Sequence, residues 1–304
     1  MSPAAQARVS EEALEPRPFE VRAGTQRLEG EELGFGPPVV LAHGLTATRR
    51  YVLHGSRALP RKGFLVASYD ARGHGTSDPA PDGEGYRYEC LARDLGAVVE
   101  ARASGGPVVL VGHSMGAHTV ATYALAERDR VAGAVFVGPV SIGLEPPDEV
   151  LAEWDELADG LGEGVDGFLA VQERQGLDPD WRKPIQRFTR ARMSAHRHPE
   201  AVARALREVP RSIPFEGLGE LENLDLPALV VASHDLADPG HPRAVAEAWA
   251  EALPRARLIG ETDEEEAPLA WKGGKLSREI AAFCAEPAVV ERLGVSGEPG
   301  GFRA

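Results

Sequence analysis

The chain has 304 residues, 43% of them hydrophobic, with 47 acidic against 33 basic residues and a formal charge of -14. That length and apolar content can bury a substantial core, as one large domain or two small ones. The acidic excess repels phosphate backbones and anionic headgroups, so neither nucleic acid nor a membrane surface is an expected partner.

Residues 1–18 carry Ser-Pro, Glu-Glu and Arg-Pro elements and no apolar run, which predicts a disordered N-terminal tail rather than a signal peptide or an anchor. No stretch reaches the ~20 apolar residues of a spanning helix, and the expectation is a soluble, cytoplasmic protein. Cys90 and Cys284 fall in separate helical stretches without metal-ligand spacing, so neither a disulfide framework nor a zinc site is expected.

From Phe19 the pattern is an opening hairpin, Phe19 to Arg22 and Arg27 to Leu33, followed by nearly continuous apolar runs at Val39–Ala42, Phe64–Ala67 and Val108–Val111. Such runs belong to strands buried on both faces of a sheet. Between them Thr48 to Leu59 and Tyr86 to Arg102 read as helices, the second with Tyr88, Leu91, Leu95, Val98 and Val99 on one face. Met115 to Glu127 reads as a helix and Val131 to Val137 as a strand. Strand character then lapses for about 90 residues until Leu229–Ala232. The intervening segment carries Trp154, Leu161, Phe168, Trp181, Ile185, Phe188 and Leu206 at three- and four-residue spacings and predicts a helical lid. A strand at Arg257–Ile259 and a helix bearing Leu276, Ile280 and Phe283 close the pattern before a tail rich in Gly and Pro. Strands alternating with helices predict an α/β fold, a mostly parallel sheet flanked by helices.

Gly112-His113-Ser114-Met115-Gly116 stands directly after an apolar strand and directly before a helix. The two glycines permit a sharp turn that leaves the Ser114 hydroxyl at the carboxyl edge of the sheet, as a nucleophilic serine requires. On this motif and its setting the chain resembles the α/β-hydrolase superfamily over about residues 19 to 284. Three further stretches belong to the comparison. His43-Gly44-Leu45-Thr46 resembles the oxyanion loop, which implies that the Leu45 and Met115 amides hold the developing negative oxygen. Asp70 to Ser77 looks like an architectural turn, with a structural His74. Ala232 to Pro239 resembles the acid loop; there the resemblance favours Asp235 as the carboxylate that orients a histidine, and Asp238 before Pro239 reads as a helix cap.

The resemblance implies a histidine in the loop after the last strand. That loop, Gly260 to Trp271, contains none, and the alignment of Ala267-Pro268-Leu269 sets Glu266 in its place. Glu266 acting directly, His234 beside the acid loop, or His118 one turn past the serine are the candidate substitutes. His196 and His198 lack an accompanying carboxylate or cysteine cluster, so no metal is expected, and the absence of a dinucleotide or phosphate-binding fingerprint predicts no cofactor.

The expected organisation is a tail at 1–18, a core at 19–138 and 228–284, a lid at 139–227 and a tail at 285–304. The expected function is hydrolysis of a small-molecule ester, thioester or related acyl substrate through Ser114. The alternative is a catalytically silent ligand-binding protein of the same fold.

Overall fold

A computed structural model describes residues 11–260 and 267–294 of the chain. Among the described residues eight strands build one sheet: β1 (Arg17–Ala23), β2 (Gln26–Leu33), β3 (Pro38–Ala42), β4 (Leu65–Tyr69), β5 (Val108–His113), β6 (Val131–Val137), β7 (Ala228–Val231) and β8 (Ala256–Ile259). Their spatial order is β1-β2-β4-β3-β5-β6-β7-β8. The opening hairpin and the β2–β4 pair are antiparallel, and every pairing from β4 through β3 to β8 is parallel.

The continuous apolar runs follow from burial on both faces. Successive residues of one strand enter opposite cores: Leu110, Ala134, Phe136 and Val230 pack on one side, and Val109, Val111, Val135, Leu229 and Val231 on the other. The first side is covered by α1 (Tyr88–Ala103) and α2 (Met115–Ala126). Four helices then intervene between β6 and β7: α3 (Asp148–Gly162), α4 (Val165–Arg174), α5 (Arg182–Met193) and α6 (Pro199–Glu208). After β7, α7 (Arg243–Ala252) returns to the first side with Trp249 fully buried, while α8 (Gly273–Cys284) and α9 (Pro287–Arg292) cover the second.

The inserted helices form a third cluster, in which Leu161, Phe168, Met193, Val202 and Leu206 pack with Leu45, Tyr86, Tyr88 and Met115. The insertion therefore rests on the strand ends that carry the glycine-flanked serine. Trp181 and Phe188 reach the opposite rim, where both ring systems meet Trp271.

Three sequence expectations are corrected. Thr48 to Leu59 is not a helix: only Arg49–Tyr51 makes a short 3-10 turn, because the Asp70 carboxylate takes the Arg49 amide at 2.7 Å and His54 and Gly55 turn the chain at φ 51 and 72. Chain order begins before residue 19, since Leu14 is buried, the Ala13 carbonyl accepts the Gly34 amide and β1 starts at Arg17. The core also continues past residue 284, where α9 sets Val289 against β6. Both cysteines are free and buried.

Beneath the turn after β4, Arg72 is wholly buried and makes a two-pronged pair with Asp94 of α1 at 2.7 and 2.8 Å. Its remaining donors reach Glu84 at 2.9 Å and the Gly85 carbonyl at 3.0 Å. Deleting one partner of a buried pair strands the other charge. Asp94→Ala is therefore expected to lower stability by about 3–5 kcal/mol in a urea titration at neutral pH; a loss below about 1 kcal/mol would show that Glu84 alone satisfies Arg72.

Candidate active site

Ser114 links β5 directly to α2, and its backbone adopts φ 54, ψ -118, a conformation that L-residues avoid unless the surroundings enforce it. Here the enforcement is a close backbone crossing. A Cβ on Gly112 would stand 2.2 Å from the Gly116 carbonyl oxygen, and one on Gly116 would stand 2.1 Å from the Ala42 carbonyl oxygen. Only hydrogen fits at either position. The Ser114 amide donates to the Val137 carbonyl at 2.9 Å, which ties the turn to the end of β6. The serine is partly exposed, and no hydrogen bond engages its Oγ among the described residues.

The loop after β3 lies against this turn: a Cβ on Gly44 would be 3.2 Å from Ser114 Cβ and 3.2 Å from His113 Nδ1. The Leu45 and Met115 amides have no acceptor among the described residues, Met115 because it opens α2 and has no preceding turn to bond to. Histidines brace the loop. His43 Nδ1 meets the Gly44 carbonyl at 2.8 Å and its Nε2 accepts the Ala71 amide at 2.9 Å. His74 bridges the Arg72 and Leu45 carbonyls at 2.8 and 2.7 Å. His196, from the α5–α6 junction, accepts the Gly75 amide at 3.0 Å and reaches the Thr46 carbonyl at 3.3 Å, so one ring joins the insertion to the loop. Burial pushes the His196 ring down to about 3.

In the loop after β7 the two aspartates exchange the places the sequence suggests. Asp235 is exposed and accepts the Arg243 amide at 2.8 Å, so it caps α7. Asp238 faces inward, where Ser233 Oγ donates to Oδ2 at 2.7 Å and His241 Nδ1 meets Oδ1 at 2.8 Å. Burial alone would raise the Asp238 carboxyl, but the His241 ring and the Ser233 hydroxyl outweigh it and hold it well below the usual carboxylate range. The His241 ring packs over Gly138, where an added Cβ would be 3.2 Å from Cδ2, and lies 5.2 Å from the His113 ring. Both contacts flank Ser114: His113 precedes it and Gly138 follows its partner Val137.

The remaining expected bases sit otherwise. His234 is buried, its Nδ1 accepts the Ala237 amide at 3.2 Å, and its ring lies 5.7 Å from Trp181. His118 is consumed by structure: Nδ1 pairs with the Tyr88 hydroxyl at 3.0 Å, while Nε2 accepts the Val140 and Ser141 amides at 3.2 Å each. Glu266 lies outside the described residues. His241 went unread in the sequence because the resemblance directs attention to the loop after the last strand. The usable signal was the local spacing Asp238-Pro239-Gly240-His241, which permits an i,i+3 pair across a tight turn. Among the described residues no group of three or more potential ligands could hold a metal ion.

The sequence profile of the α/β-hydrolase fold matches residues 37–264. The chain belongs to that family. It is 34% identical over 115 residues to the sn-1-specific diacylglycerol lipase ABHD11 of Mus musculus, a match covering 38% of this chain and 36% of the lipase. To a non-heme haloperoxidase of Rhodococcus erythropolis it is 33% identical over 152 residues, 49% of this chain and 54% of the other. The matches thus span about a third to a half of these relatives. Among solved structures, an enol-lactonase from Burkholderia xenovorans LB400 superposes with a TM-score of 0.70 at 22% identity, covering 88% of this chain and 100% of that one, a likeness of fold.

Burial drives the His113, His118 and His196 rings down to about 3 from an ordinary value of 6.5. Between pH 6.5 and about 3 the unfolded chain binds protons at these rings that the folded chain refuses, so their stability contribution is complete above 6.5 and is lost on acidification. The urea midpoint is expected to fall steadily from pH 7.5 to pH 5; an unchanged midpoint across that interval would contradict the buried neutral rings.

Proposed function

We propose that this chain is a serine hydrolase of an ester, thioester or related acyl compound, with Ser114 as nucleophile. The observation that carries the reading is the enforced positive φ of Ser114 beside two uncommitted amides, those of Leu45 and Met115. Strain of this kind is retained only where surrounding structure imposes it, and it leaves the hydroxyl projecting from the sheet edge.

In this reading Ser114 Oγ attacks the acyl carbon and its proton passes to Nε2 of His241. The carbonyl electron pair moves onto oxygen, where the Leu45 and Met115 amides hold it. Collapse of the intermediate expels the alcohol or thiol, which takes the proton from His241, and water releases the acyl group by the same steps in reverse order. Asp238 acts as the positioning residue, keeping the Nδ1 proton of His241 toward itself and so leaving Nε2 as the acceptor. His241 is preferred over His234 because it has a carboxylate on Nδ1, whereas the Nδ1 of His234 is occupied as an acceptor. It is preferred over Asp235 with any other base because Asp235 is engaged at the start of α7.

A fluorophosphonate probe reads this directly. Wild type is expected to label, Ser114→Ala to lose all labelling, and His241→Ala to slow it by about 10³-fold or more, as loss of a serine's base does. Asp238→Asn is expected to slow labelling less than His241→Ala and to shift its pH dependence, which a purely structural loss would not do. Normal labelling in His241→Ala with loss in Glu266→Gln or His234→Ala would reassign the base. An unreactive wild-type Ser114 would favour a ligand-binding protein without catalysis.

A further inference from the structure

Arg192, in the last turn of α5, is a cation brought to the site without an anion. Its Nε is closed off from solvent and has no hydrogen-bond partner. Nη2 donates only to Thr189 Oγ1 at 3.3 Å, and the guanidinium lies 5.3 Å from the Phe188 ring centre. Among the described residues no carboxylate comes within the 4.0 Å of an ion pair. Elsewhere the molecule pairs its buried arginine: Arg72 has both Asp94 and Glu84. Arg192 is half-buried, with its Nε cut off from solvent; a guanidinium that is partly desolvated and left without a counter-ion is costly, and burial lowers its proton affinity.

Its surroundings place it between the serine turn and the insertion. The carboxylate whose charge acts on it is Asp238, whose two oxygens are already taken by Ser233 and His241. The positive charge of Arg192 is also felt by His113, next to Ser114, by His54 and by His196, which bonds the Thr46 carbonyl from the α5–α6 junction. Aromatic rings wall this space: Phe188 lies 5.5 Å from Tyr51, 5.3 Å from His54 and 6.1 Å, stacked, from Trp271. A chain of net charge -14 repels anionic small molecules at long range, so one that is to be held here needs a local cation.

We propose that Arg192 binds the carboxylate of the substrate, so that the compounds taken are esters or lactones bearing a free carboxylate on an aromatic or apolar skeleton. The inference rests on the hydrolase reading for the ester and on Arg192 alone for the carboxylate. The guanidinium fork offers a carboxylate two parallel donors, and the Phe188–Trp271 wall offers its skeleton an apolar surface.

Benzoate and its uncharged analogue benzamide test the carboxylate by calorimetry on the full chain, in wild type and in Ser114→Ala, so that the readout does not depend on a reactive serine. Benzoate is expected to bind at least about ten-fold more tightly than benzamide, the effect of a hydrogen bond to a charged group. Arg192→Met is expected to abolish the preference and Arg192→Lys to keep part of it. Equal binding of the two probes, binding of neither, or a preference that survives Arg192→Met would overturn the inference. Should Arg192→Met fail to fold, hydrolysis of 4-acetoxybenzoate against its methyl ester by wild type decides instead, with the anionic ester expected to have the higher kcat/KM and an equal or lower value overturning the inference. Arg192-dependent benzoate binding with an unlabelled Ser114 would refute the hydrolase reading and leave the anion site standing.

Discussion

The crossing of backbone on backbone at Gly116 is the constraint from which the rest of the site follows. With no side chain at that position, the first turn of α2 sits against the Ala42 and His43 carbonyls at the end of β3. That contact fixes three things together: the serine's strained dihedrals, the direction of α2, and the distance between the elbow and the loop that supplies the Leu45 amide. None of the three has an independent adjustment, because strands β3 and β5 are hydrogen-bonded neighbours with Ala42 opposite Gly112. Interiors packed to this density do not deform gradually.

Electrostatics around the crossing are organised by exclusion of charge. His43, His74, His113, His118 and His196 all lose proton affinity mainly through burial. Kept neutral, a ring is a donor on one nitrogen and an acceptor on the other, which is what joining a backbone amide to a carbonyl requires. His43 and His196 each serve in this way. Asp238 and His241 are the contrast, a carboxylate and a ring that face one another at 2.8 Å, the ring helping to hold the carboxylate in its charged form.

The sheet and the elbow were legible in the sequence because their causes are local. Unbroken apolar tetrads mark strands covered on both faces, and Gly112 and Gly116 around Ser114 can be read without knowing what they touch. The segment 48–59 was misread because its pattern is helical in composition, while its shape is set by Asp70, some twenty residues away, and by the positive φ of His54. The places of Asp235 and Asp238, one at the start of α7 and one facing inward, differ from the expectation for a related reason. Spacing to a proline says where a chain turns, but which carboxylate faces inward depends on the path of the loop over Gly138, and that path is a property of the assembled sheet edge. Arg192 could not be singled out from sequence at all, since α5 carries Arg182, Arg187, Arg190 and Arg192 and nothing in the pattern says which of them has its Nε closed off without a partner.

One imidazole gives the site a mechanical property as well as a shape. His196 holds the Gly75 amide with one nitrogen and the Thr46 carbonyl with the other, and so the junction between α5 and α6 is latched to the segment that carries Leu45. Hydrogen bonds fall away steeply with stretch and misalignment. A displacement of the inserted helices against this segment must either release both bonds or carry the loop with it. The position of the α5–α6 junction and that of the Leu45 segment are therefore mechanically coupled, through the His196 ring and through the Arg197 amide, which donates to the Gly75 carbonyl at 2.8 Å.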